Sequence, residues 1–267
     1  MNSADVNSVG VVTISFNQCA YLAEAIASVT MTDNSKLQYV VVDPGSTDSS
    51  RQIIHENKKR FSSVVLEPDN GPADGLNKGF AKCDADVMGY LNADDRLLPG
   101  ALDFVLDYFN RHPYVDVIMG GIRLVDQSGK VTRRSCIPWM FSPQSVLDGT
   151  YVAVQQGTFF RRRAWELTTG FNIKNGSCWD TELVLDMSLA GAVIRPVYKN
   201  LADFRIHSQS ITGSNSLAAR YRHDVERLKQ KCEAAGFVRT KGVSLAAKQI
   251  RFRYSPVRRG LELLSSI

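Results

Sequence analysis

GYLNADDRLLPG (Gly89–Gly100) sets the end of an apolar run against two adjacent carboxylates, Asp94 and Asp95. The run begins just upstream as DVMGYLN, a short apolar segment of the kind that forms a buried strand, and it stops at Asn92. PGALDFVLDYFNRH follows, and its spacing predicts a helix with Pro99 in the first turn, where proline is tolerated. The two aspartates therefore belong to a loop at the carboxyl end of a strand. Like charges ~5 Å apart repel by ~3 kcal/mol at an effective dielectric of about 20. Arg96 relieves part of that repulsion, and a divalent cation relieves more, because hard cations take carboxylate oxygens. A solvated loop or a helix N-cap would account for the same pair.

The same alternation runs upstream. VGVVTISF (Val9–Phe16) predicts a buried strand, and Asn17 is placed to cap a helix carrying Leu22, Ala25, Ile26 and Val29. LQYVVVD predicts a second strand ending in Asp43. PGSTDSS then makes a turn with Thr47 or Asp48 as N-cap of a helix holding Ile53 and Ile54. SVVLEP is a third strand, and PADGLNKGFAKC a helix with Leu76, Phe80 and Cys83 on one face. Strand and helix in alternation predict a mainly parallel α/β sheet with helices on both faces. Such sheets bind ligands beyond the carboxyl ends of their strands, which is where Asp43, Asp69 and the Asp94/Asp95 pair fall. Downstream the pattern shifts to antiparallel elements. VDVIMGGIRLVDQSGKVTRR reads as a hairpin turning at DQSG, and YVAVQQGTFFRRRAW as a strand entering a basic cluster. CWDTELVLDMSLAG is a helix, AVIRPVYKNLADFRIH is extended, and the chain from Ser216 is mostly helical.

The totals agree with a globular protein. The chain has 267 residues, of which 44% are hydrophobic and 22% charged. No apolar run approaches the ~18 residues that span a bilayer, and the N-terminus lacks the features of a signal peptide. The five cysteines form no CxxC pair, which argues against a zinc site and fits a reducing, cytoplasmic setting. The net charge of +5 is concentrated after Arg220. The partner of that basic tail is expected to be anionic.

VVTISFNQCAYLAEAIASV, VVVDPGSTDSS and EPDNGPADGLNKGFAKCDADVMGYLNADDRLLPGAL, in that order, closely resemble the donor-binding half of a family-2 glycosyltransferase. The resemblance resumes at QQGTFFRR, WDTELVLDMSLAG and FRIHSQSIT. It implies the GT-A fold, an α/β mainly parallel sheet flanked by helices, with a smaller antiparallel portion on the acceptor side. It also implies a nucleotide-diphosphate sugar as donor and Mg²⁺ or Mn²⁺ as cofactor.

Carried over by position, NADD matches the family's D-x-D metal motif. Asp94 stands for the metal-holding aspartate, with Asp95 assisting, and Asn92 replaces a common aspartate. Asp43 matches the acid that contacts the nucleoside, although Pro44 departs from the pattern after it. Thr13, Ser15 and Asn17 match the lining of the nucleotide pocket, and Asp74, Asn77 and Lys78 a helix start beside nucleoside and diphosphate. Asp180 matches the general base of inverting members, with Glu182 in reserve; helix capping is the structural alternative for Asp180. Asp186 stands where arginine is common. Arg205 and His207 match groups near the diphosphate and metal, while Gln155 and Gln156 border the acceptor cleft.

The implied reaction is inverting transfer of a sugar to a saccharide hydroxyl, on a glycan or lipid-linked glycan, in surface polysaccharide assembly. The division expected is a GT-A domain over residues 1–215 and a helical basic extension over 216–267. That extension suits an anionic inner membrane face, giving a cytoplasmic or peripheral protein, or else packing on its own domain or in a homo-oligomer. No nucleic-acid partner is expected. The alternative is a catalytically silent nucleotide-sugar-binding or scaffold module of the same fold. Nucleotidyltransferases and SAM-dependent methyltransferases are disfavoured, because SFNQCAYL offers no glycine-rich phosphate loop.

Overall fold

A computed structural model describes residues 5–31, 36–136, 138, 141–151, 154–208 and 218–240. The basic segment from residue 241 onward, and Gln209, Ser210, Ile211 and Thr212 of the FRIHSQSIT motif, lie outside the described residues. Nine strands are described: β1 Val9–Ile14, β2 Leu37–Val42, β3 Ser63–Val65, β4 Val87–Asn92, β5 Arg96–Leu97, β6 Val117–Val125, β7 Val131–Cys136, β8 Thr158–Arg161 and β9 Ile194–Arg205. The helices are α1 Leu22–Thr30, α2 Ser50–Glu56, α3 Pro72–Phe80, α4 Ala101–Arg111, α5 Pro143–Asp148, α6 Arg162–Glu166, α7 Trp179–Leu189 and α8 Ala218–Ala234. All strands join one sheet in the order β3-β2-β1-β4-β8-β6-β9-β5, with β7 on β6.

The parallel half is β3-β2-β1-β4. From β1 the chain adds β2 and β3 on one side, then crosses back to add β4 on the other. The switch point lies between β1 and β4, whose ends Ile14 and Asn92 are in register. A crevice at the carboxyl ends follows from that topology, because the connecting helices leave in opposite directions there. Beyond β4 the sheet continues with antiparallel β8 and β6, with β9 parallel to β6.

Alternation along β1 and β2 sends side chains to two cores. Val9, Val11, Tyr39 and Val41 pack with Leu22, Ile26, Leu102, Val105 and Phe109 of α1 and α4. Val12, Val40, Val42, Met88 and Tyr90 face Leu76 and Phe80 of α3 and Trp179, Leu183 and Met187 of α7. Gly79 lets α3 lie close on the sheet, since a Cβ there would fall 2.4 Å from Val12. A third cluster joins Val146 and Leu147 of α5, Val184 and Leu185 of α7, and Leu228 and Cys232 of α8. The tail's first helix thus shares a core with the α/β body.

Several boundaries differ from expectation. The loop after β4 contains the short β5, so α4 begins at Ala101 and Pro99 precedes it; Gly100 takes the junction with φ 71°. Asn17 does not cap α1, which starts at Leu22; instead it has φ 53° and turns β1 into a loop. Ser49 precedes α2, and Asp48 accepts from Ser50 N at 2.9 Å.

Candidate functional site

β1 and β2 end in a mesh of side-chain to backbone bonds. Asn17 Oδ1 accepts from Thr47 N at 2.8 Å, Ser46 Oγ from Asn17 N at 2.8 Å, and Asp48 from Cys19 N at 2.9 Å. The two loops are thereby fixed to each other beside Asp43. The Asp43 carboxylate is wholly buried. Its Oδ1 accepts from Gly45 N, Ser46 N and Arg51 Nε at 3.1, 2.8 and 3.2 Å. Its Oδ2, and the buried Ser15 Oγ nearby at the end of β1, have no partner. An unpaired buried acceptor costs about 1–3 kcal/mol, so the pair marks a place for a ligand's N–H or O–H. Thr13 lies deeper in the core, where its hydroxyl receives the Tyr39 phenol at 3.1 Å.

At the end of β4, residues distant in sequence meet. His207 Nε2 lies 3.1 Å from Asp94 Oδ2, and its ring packs on Tyr21 with centroids 4.9 Å apart. Asp95 is turned inward: Oδ1 accepts from Arg205 N at 2.9 Å and Oδ2 from Gln156 Nε2 at 2.9 Å. Burial, and then the neighbouring Asp94, push the Asp95 carboxyl well above the usual range. Asn92 and Gln155 exchange amide bonds at 3.1 and 3.2 Å, and Asn92 Nδ2 reaches Asp95 Oδ2 at 3.4 Å.

Arg205 is a brace beneath this loop. Its Nε donates to Asp94 O at 2.8 Å, Nη1 to the carbonyls of Asp126 and Gln127, and Nη2 to Glu24. Arg96 pairs with Asp203 and Glu24 and so does not neutralise the adjacent aspartates. Buried Asp203 also takes Arg123. Sequence reasoning does not single out Glu24, Asp203 or Arg123; Glu24 offers only its place as the acid in the first turn of α1.

The α3 residues are mostly engaged in holding the fold. Asp74 accepts from Asn70 N at 2.9 Å, which lowers its pKa, and pairs with Lys78. Lys78 Nζ donates to Pro68 O at 2.6 Å. Asn77 makes two 2.8 Å bonds to the main chain of Phe171. The cluster Arg161–Arg163 is also spent within the protein, on the carbonyls of Val115, Phe109, Cys83 and Ala85 and on Asp116.

Asp180 is the second residue of α7, so it is inside the helix, and Cys178 holds the cap position. Among the described residues its carboxylate makes a local bond, accepting from Thr181 N at 2.7 Å. Burial raises its pKa, yet the residue keeps part of its surface in solvent. Its helix neighbour Trp179 packs its ring on Tyr90 of β4 with centroids 5.8 Å apart, which sets the start of α7 against β4. Glu182 points the other way and is fully buried. It accepts from Arg227 at 2.5 and 2.6 Å, Asn175 at 2.8 Å, Asn172 at 3.0 Å and Lys231 at 3.2 Å.

The Asp94–His207 pair fits a divalent cation. One carboxylate and one imidazole suffice for an ion that keeps most of its positions for phosphate oxygens and water. Asp95 and Asn92 have their donors and acceptors committed to protein, and among the described residues no cluster of three metal-ligating side chains exists. Asn92 has its own physical reason. Asp in its place would set a second carboxylate against Asp95 Oδ2, and Gln155 Oε1 would lose its donor. Asn92→Asp is expected to cost about 1–2 kcal/mol of stability at neutral pH, after relaxation of a Coulomb repulsion that is larger at fixed geometry. Urea unfolding of the metal-free protein measures it, and an unchanged midpoint would refute this account.

The model of the family described as Glycosyl transferase family 2 matches residues 10–179. An uncharacterized glycosyltransferase of Nostoc sp. is 25% identical over 74% of this chain and 65% of its own length. Chondroitin synthase of Escherichia coli is 24% identical over 72% of this chain and 28% of its own. The chain thus spans under two thirds of the length of these curated relatives. Among solved structures, S. aureus TarS 1–349 in complex with UDP-GlcNAc superposes with a TM-score of 0.67 at 16% identity, covering 96% of this chain and 83% of that one. The mannosyltransferase PcManGT from Pyrobaculum calidifontis, in complex with GDP-Man and Mn²⁺, gives 0.62 at 14% identity, covering 98% and 85%. At these identities the structures give the fold, which is GT-A.

Proposed function

The chain belongs to glycosyl transferase family 2, and from that premise we propose that it moves a sugar from a nucleoside-diphosphate sugar to a saccharide hydroxyl, with inversion. The observation that carries this reading is the buried, unpartnered Asp43 Oδ2 beside Ser15 Oγ at the sheet's switch point. A nucleoside presents N–H and O–H donors to such acceptors. Its diphosphate then extends towards Asp94 and His207, the side chains that would hold Mg²⁺ or Mn²⁺. A cation there supplies positive charge against the departing diphosphate. Asp180 faces the same crevice from α7 and takes the proton of the acceptor hydroxyl. As that O–H bond breaks, the oxygen bonds to the anomeric carbon from the face opposite the diphosphate, and the bond to the diphosphate oxygen breaks. Polysaccharide-forming relatives such as chondroitin synthase favour a glycan acceptor. No helix among the described residues is long and apolar enough to cross a membrane, so we assign any membrane contact, and a lipid-linked acceptor with it, to the basic tail.

Calorimetry with a panel of UDP-, GDP-, dTDP- and CDP-sugars, with and without Mn²⁺, tests this directly. Binding of one nucleotide class and its slow hydrolysis are expected. A panel with no binder ends the reading, and binding without any turnover would favour the silent-module alternative. Asp43→Asn should weaken the selected nucleotide about tenfold, because the amide keeps one acceptor and presents a donor to the nucleoside's own donor. An unchanged dissociation constant would remove Asp43 from the nucleoside site.

A further inference from the structure

We propose that α8 positions Asp180, with Arg227 as the positioning residue; the claim rests on the glycosyl-transfer reading for what Asp180 does, but not for how it is held. Among the described residues, Asp180 is not held by bonds to distant side chains. Its carboxylate bonds to the adjacent Thr181 N. Its position is therefore the position of the first turn of α7, and that turn has no side-chain cap.

What fixes the turn comes from α8. Glu182 binds Arg227 through both guanidinium nitrogens, at 2.5 and 2.6 Å, in the fork geometry that arginine makes with carboxylates. Lys231 bridges Glu182 and Asp186, at 3.2 and 2.5 Å, on the same face of α7. Asp224 accepts from Gly176 N at 3.2 Å and from Ser177 Oγ at 2.6 Å, which secures the loop entering the helix. The Arg220 guanidinium crosses that loop at Gly176, where a Cβ would fall 2.1 Å from its Nε. Asn175 links the two halves of the brace. Its Nδ2 donates to Glu182 at 2.8 Å, and its Oδ1 accepts from Cys178 N at 2.9 Å. Both ends of the segment Gly176–Glu182 are thus anchored to α8, and Asp180 lies between them. Asp186, where arginine is common in the family, fits this arrangement: the balancing cations are supplied by α8.

The test uses Arg227→Ala, Arg227→Lys and Asp224→Asn in the full chain. Hydrogen–deuterium exchange without any donor should be at least ~10-fold faster at Gly176–Glu182 in Arg227→Ala, with residues 17–50 unchanged. With UDP-GlcNAc or GDP-mannose, whichever the wild type turns over, kcat for transfer should fall ~10-fold or more while donor KM stays within about twofold. Arg227→Lys should recover part of the loss, and Asp224→Asn should reproduce the faster exchange. Unchanged exchange and kcat would overturn the proposal. So would kcat falling only in proportion to an unfolded fraction, which is a structural role alone. If the wild type turns over no donor, the glycosyl-transfer reading fails and a base to position fails with it; the exchange arm still shows whether α8 orders the turn.

Discussion

Asp180→Asn is expected to lower sugar transfer by about 10²–10⁴-fold, the contribution of a positioned general base. Asparagine is nearly isosteric and keeps the acceptor for Thr181 N, so the loss isolates the missing basic oxygen. Donor binding should be unaffected, because the proposed nucleoside site is built by β1, β2 and their loops. The pH profile adds a second signature. Burial raises the Asp180 pKa, so transfer should lose its base at a pH above that at which an exposed aspartate protonates. The acid limb of kcat/KM should report that raised value. Stability moves the other way. With the folded pKa above the unfolded one, the native state binds more protons between them, so ionised Asp180 costs stability at neutral pH. Asp180→Asn should therefore melt at the same temperature as the wild type or higher. A variant that keeps full transfer activity, or one that loses activity together with stability, would remove Asp180 from this role.

The sequence marks the site's strand ends better than it marks side-chain direction. β1, β2 and β4 are dense in β-branched and apolar residues because both faces of that half are covered. Their ends are therefore visible, and with them Asp43 and Asp94. The meeting of Asp94 with His207, far apart in the chain, is legible only through motif resemblance, and the Nε2–Oδ2 distance of 3.1 Å shows the pair assembled. Arg205 shows where such reading stops. Its charge suits phosphate, but its guanidinium is turned under the loop onto carbonyls and Glu24, and composition does not reveal which way a long side chain turns. Glu182 differs from Asp180 in the same way. The two lie two positions apart on α7, so helical geometry sends them to different faces. One keeps part of its surface in solvent and the other meets α8. The hairpin of β6 and β7 is legible from its turn residues, whereas the pairing of β9 with β6 brings together segments that no local pattern connects.

Glu182→Gln is expected to remove about 2–3 kcal/mol of stability at pH 7 and to flatten the acid side of the stability curve. Burial alone would push this carboxyl up, but the bonds from Arg227, Asn172 and Asn175 and the charge of Lys231 outweigh it and hold the pKa at about 2 instead of 4.5. The folded value lies below the unfolded one, so the unfolded chain binds the extra proton between them. Stability from Glu182 is therefore complete above about 4.5 and is lost as pH falls towards about 2. A tenfold difference in proton affinity between the two states corresponds to about 1.4 kcal/mol, and partial exposure of the two cations trims the total to the value above. Glutamine fills the same space and can accept from Arg227 through one oxygen only, leaving the half-buried guanidinium fork and Lys231 without their counter-charge. Urea unfolding from pH 7 to 2.5 reads both effects: the wild-type stability should fall steeply below about pH 4.5 and the variant's much less. Parallel curves would show that Glu182 carries no such charge linkage and would weaken the case that α8 is held on α7 by it.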